Sequence, residues 1–143
     1  MTRRCSTSTF SSPCLTATTS STRGQKRGWT QRSGRVGPSC AITQNGFVRT
    51  ISQPRYPSPV PPAQAIERLA RAARTKHHEF WECDVSLLDP SVLDSSKLHG
   101  ARQVTDAYLL ALAVAHGGRF ATFDQRVPPE AVRGSNANCV VLI

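Results

Sequence analysis

Two aspartates, Asp106 and Asp124, are the residues of this chain best placed to do chemistry. Asp106 stands before the apolar run "AYLLALAVA", which reads as a helix; Asp124 follows the strand-like "RFATF". A helix joined to a strand by a tight turn runs antiparallel to it. Helix start and strand end therefore share one edge of a sheet. In open α/β sheets, ligands gather beyond the carboxyl ends of the strands. Two carboxylates there can hold a hard divalent cation such as Mg2+, which takes oxygen ligands and keeps several waters. Such an ion can deprotonate a bound water and steady a phosphoryl oxygen during hydrolysis. Each aspartate alone also has an ordinary structural use, since the helix dipole favours an acid in the first turn and Asp is a common turn residue. Two carboxylates fall short of a full nuclease site, whose further acids would come from the first strand of the sheet.

The elements that must position this pair are legible from Ser39 onward. "SCAITQNGFVRTIS" predicts a short strand entering a helix over about Ile42–Ile51. Gln53–Pro62 is a Pro-rich connection; its PxxP spacing fits SH3-type docking, but a stiff loop opening a helix fits better, with Pro61 and Pro62 suited to the start. Ile66, Leu69, Ala70 and Ala73 then recur at helical spacing and predict the buried stripe, with Arg68, Arg71 and Arg74 on a solvated face. His77 and His78 have no partner at metal-ligand spacing and read as surface residues at a helix end. A short strand is expected within Trp81–Val85, and a small helix or loop over "SVLDSSKLHG". Thr105 is the expected N-cap of the main helix. Its apolar residues lie on all sides, so it should be buried, and Gly117 supplies the stop. "CVVLI", Cys139–Ile143, is a continuous apolar run that fits a buried parallel strand. This alternation is that of an α/β fold.

Composition bounds the rest. The 143 residues suffice for one domain. No run approaches the length of a membrane span, no secretory signal pattern is present, and five scattered cysteines make a poor disulfide framework. A reducing cytoplasm is the simplest compartment. The net charge of +9 would suit an anionic partner. Yet residues 1–66 hold nine Lys/Arg and no acid, while residues 67–143 hold nine of each. The basicity belongs to the part that looks least folded. A basic RNA-binding arm or a transit peptide are two readings of it; a segment never selected as protein is a third, and residues 1–38 predict no element.

"CAITQNGFVR", "VTDAYLLALAVAHGGRFATFD" and the closing "VVL" resemble the PIN-domain ribonucleases, in particular the VapC toxins of bacterial toxin–antitoxin pairs in their mycobacterial form. The resemblance covers about residues 39–143. It implies a three-layer α/β/α sandwich with a central parallel sheet, and Mg2+- or Mn2+-dependent cleavage of RNA. It also implies a cognate antitoxin protein that silences the toxin, and homodimers. Asp106 matches the family's metal-binding Asp at the helix start, and Asp124 the acid after the next strand. Where the family often has Glu after "AIT", this chain has Gln44 and Asn45, whose amides could assist. The family's first catalytic Asp lies in an opening strand of the type L-D-x-N, and no acid stands in that part of this chain.

Reading Cys5–Arg23 out of frame accounts for that gap. Take the last base of each codon with the first two of the next. Every Thr (ACN) then gives Asp, Asn, His or Tyr, and every Ser with a TCN codon gives Leu, Ile, Val or Phe. The Ser/Thr run becomes an apolar–polar alternation followed by an apolar stretch, compatible with L-D-x-N. The frame would return between about Arg32 and Cys40. The expected molecule is thus a PIN-like domain over residues 39–143, preceded by a disordered or out-of-frame segment 1–38. Its first strand and first Asp are missing and its nuclease activity is impaired. The rivals are a non-catalytic basic RNA-binding protein and an inactive remnant that binds antitoxin.

Overall fold

The computed structural model describes residues 37–143 and the backbone of Ala17–Thr19. Apart from Ala17–Thr19 and residues 37–38, the expectation for residues 1–38 lies outside the described residues. The order is β1 (Ala17–Thr19), β2 (Ser39–Cys40), α1 (Ala41–Ile51), α2 (Pro62–Ala73), β3 (Phe80–Trp81), α3 (Ala101–Ala115), β4 (Gly118–Thr122) and β5 (Val140–Leu142). The molecule is mixed helix and strand. Strands β4 and β5 pair in parallel, with Phe120 opposite Val140, and β2 and β3 pair in parallel, with Cys40 opposite Trp81.

The core is α3 laid on β4. Its middle, Ala107 and Leu109–Ala113, is buried on every side, as the unbroken apolar run predicts. Leu110 and Phe120 are almost wholly buried, and each such side chain contributes about 1.5–3 kcal/mol by leaving water. Gly117, with φ of 65°, takes the left-handed position that ends the helix, and β4 starts at the next residue.

Three expectations are corrected. The main helix begins not at Thr105 but at Ala101, with Gly100 extended before it. Ala, Arg and Gln are good helix formers and add a turn. Gln103 reaches back so that its Oε1 accepts the His99 N–H at 2.8 Å. In α2 the buried residue is Ala65, whereas Ile66 and Ala70 are exposed. The stripe against the body centres on Ala65, with Leu69, Ala72 and the expected Ala73 half-buried. Finally, a strand does occur before Pro38. β1 pairs antiparallel with β4, Ala17 opposite Phe120. An open strand edge offers unpaired N–H and C=O groups to any extended segment, and β1 meets that need with the opposite sense to β5.

One continuous central sheet is not formed among the described residues. The strands fall into a three-stranded sheet, β1–β4–β5, and a two-stranded one, β2–β3. Side chains bridge them. The Trp81 ring lies over Gly118, so closely that a Cβ added there would come within 2.4 Å of it. It also stacks on His116 at 4.8 Å, and His116 Nε2 lies 3.1 Å from Asp84 Oδ1. A small apolar cavity of about 20 Å3 remains between Cys40, Trp81, Leu109, Leu112 and Phe120. Gly118→Ala is therefore expected to destabilise the protein by about 1–3 kcal/mol, as overpacking does. Urea titration of the two proteins checks this.

Candidate active site

Asp124 is fixed by successive turns at the end of β4. The buried Thr122 Oγ1 accepts the Asp124 N–H at 3.0 Å. Asp124 Oδ1 in turn accepts the Arg126 backbone N–H at 2.9 Å and its Nε–H at 3.3 Å. Asp106 stands in the second turn of α3, half-buried. Because α3 and β4 run antiparallel across the Gly117 turn, both aspartates reach one open cleft of about 470 Å3. His99, Gly100, Ala101, Arg102, Gln103 and Arg126 complete its lining.

The two carboxylates differ electrostatically. Burial, and then the charge of Asp124, push the Asp106 carboxyl above its ordinary value. Asp124 is held below its ordinary value, chiefly by the Arg126 backbone N–H and then by the Arg126 side chain, with Arg102 adding its charge. The sign for Asp106 follows from linkage. Its native pKa is raised, so its contribution favours folding at pH below its unfolded value and is lost as pH rises through the native one. Without divalent cation, Asp106→Asn is expected to raise the Tm at pH 7 by about one to three degrees. The gain should shrink on acidification; a lower Tm at pH 7 would overturn this account.

Gln44 and Asn45 are not among the residues lining the cleft. Gln44 Nε2 donates to Ser39 Oγ at 3.0 Å, and the same oxygen lies 2.8 Å from His78 Nε2. His78 is thus half-buried in a side-chain relay beside β2, whereas His77 is exposed. The sequence reasoning missed Arg102, Gln103 and Arg126. Helical spacing was a usable signal for the first two, since residues three and four before Asp106 share its face. Arg126 follows Asp124 by two residues, where a turn brings it back.

The donors suit a hard divalent cation in kind, being carboxylate oxygens that repel one another. They do not suffice in number. Among the described residues no group of three His, Cys, Asp or Glu side chains is placed to hold a metal ion, and Arg126 already occupies one oxygen of Asp124. The described residues therefore supply part of a metal site. Nor is any described helix long and apolar enough to cross a membrane.

No protein-family model matches the chain. No solved structure matches it. Curated relatives do. Ribonuclease VapC44 of Mycobacterium tuberculosis is 63% identical over 110 residues, covering 77% of this chain and 72% of the relative. Ribonuclease VapC39 of the same organism is 39% identical over 111 residues, 76% of this chain and 79% of the relative. Ribonuclease VapC38 is 39% identical over 103 residues, 71% of each. Identity of this extent, with the paired aspartates reaching one cleft, leads to one conclusion: the chain belongs to the VapC ribonuclease family.

Proposed function

We propose that this protein is a VapC-type toxin, a cytoplasmic Mg2+- or Mn2+-dependent endoribonuclease of PIN-like α/β/α architecture, impaired in the chain as written. The observation that carries the reading is the meeting of Asp106 and Asp124 in one cleft at the carboxyl end of β4. In this reading both aspartates are metal ligands, and the ion, when bound, supplies an activated water and charge neutralisation at the phosphate. A further carboxylate comes from the strand that residues 1–38 would encode in the second frame. An assisting role for Gln44 or Asn45 belongs to the completed sheet, since Gln44 is here bonded to Ser39. RNA is the substrate, and a cognate antitoxin and a homodimer are the expected protein partners.

One observation supports the frame reading: the strands fall into two separate sheets, and a central strand standing in place of β1 would join β2 to β4.

The test is an RNA-cleavage assay on the full chain with Mg2+, expected to show slow turnover that EDTA abolishes. Turnover unaffected by EDTA would defeat the metal-dependent reading. The +9 charge, all of it within residues 1–66, favours a second reading, a basic RNA-binding protein without catalysis. There, deleting residues 1–38 would remove salt-sensitive RNA affinity. Antitoxin capture without cleavage would mark an inactive remnant instead.

A further inference from the structure

The cleft around the two aspartates also holds two guanidinium groups, and their placement carries an inference about how substrate is received. Arg102 lies one helical turn before Asp106 on α3; Arg126 lies in the loop after β4. Of the Arg126 guanidinium, only Nε is engaged, by Asp124 Oδ1. Its terminal amino groups make no hydrogen bond among the described residues, and the side chain is 73% exposed. Arg102 makes none either, and acts on Asp124 through its charge alone. The walls are fastened together by a single amide: Gln103 Oε1 accepts from the His99 N–H, and Gln103 Nε2 donates to the Arg126 carbonyl at 3.1 Å.

Two bare carboxylates would repel a polyanionic strand from this cleft. Two guanidinium groups at the same place cancel that repulsion, and the planar fork of Arg pairs with phosphate oxygens through two parallel N–H bonds. Arg133, by contrast, is turned to Asp94 at 3.4 Å. The cleft volume, about 470 Å3, lies within the range of about 300–1,000 Å3 usual for small-ligand sites. We propose that Arg102 and Arg126 form a phosphate-binding subsite that seats the RNA backbone beside Asp106 and Asp124. The assignment rests on the ribonuclease reading for its substrate class, but its test needs no cleavage.

The test is binding of a fluorescent single-stranded oligoribonucleotide to the full chain in EDTA, over a series of salt concentrations. The basic N-terminal third contributes equally to every variant, so differences are what count. The Arg102→Gln/Arg126→Gln double variant is expected to bind about tenfold more weakly or worse. Its plot of log affinity against log salt should be shallower by about 1.4, from about 0.7 per phosphate contact on a single strand. Arg126→Lys keeps the charge and loses the fork, so it should keep the slope and lose part of the affinity. The charge-matched control Arg68→Gln/Arg71→Gln, on the exposed face of α2, should leave the slope nearly unchanged. The expected binding pattern in a chain that never cleaves would leave the subsite standing while removing the nuclease reading. Equal slopes for the cleft and control variants, or no RNA binding at all, would overturn the subsite.

Discussion

Replacing residues 1–38 with the peptide that the same gene encodes one base out of register is expected to raise RNA cleavage about a hundredfold or more. Two effects add. In the frame reading, the shifted peptide would supply an L-D-x-N strand and hence a further carboxylate beside Asp106 and Asp124. Removing one preorganised charge-stabilising group from an active site commonly costs about 100–1,000-fold in turnover, and restoring one should return a gain of that order. The second effect is on the scaffold. β2–β3 and β4–β5 are two parallel pairs without a shared ladder, and β1 caps β4 with three antiparallel residue pairs. A parallel central strand, apolar on both faces, would join them in place of β1. A higher Tm is therefore expected together with the gain in rate. If the restored chain gained neither rate nor stability, the frame reading would be wrong. Sequencing the first 120 or so bases of the gene is the direct check on where the frame changes.

How far the sequence foretold this molecule depended on how much each element's pattern was determined locally. The end of α3, the Gly117 turn and β4 were legible. The helix is apolar on every side, its stop is a glycine, and the strand follows at once, so the antiparallel geometry that joins Asp106 to Asp124 needed no long-range information. The helix start was not legible, because Gly100 has no side chain with which to announce a cap. Periodicity alone chose Ile66 for the buried stripe of α2. The tertiary contact buries Ala65 instead and leaves Ile66 exposed. The β1 pairing with β4 had no sequence signal at all. It answers an unpaired edge, and edges are a property of the assembled sheet. In the site, the sequence supplied the carboxylates and missed the cations, since Arg102 and Arg126 look like ordinary solvated charges until the cleft is assembled around them.

If Asp106 and Asp124 grip one cation between them, removing either should cost as much as removing both. In the frame-restored chain, Asp106→Ala and Asp124→Ala are each expected to lower RNA cleavage about 1,000-fold, and the double variant to fall no further. Residues that act as a unit are strongly non-additive in this way. Independent roles would instead multiply the two losses. Collapse of the fold is a poor explanation for such losses. The burial and the Asp124 charge that push Asp106 upward make its ionised form unfavourable to the native state, so neutralising it should leave the protein folded. Binding of Mn2+, measured by calorimetry on the same four proteins, separates the remaining cases. Loss of the ion in both single variants would fit a shared cation. Full Mn2+ binding by Asp106→Ala, or losses in rate that multiply, would mean that the two aspartates do not share a metal.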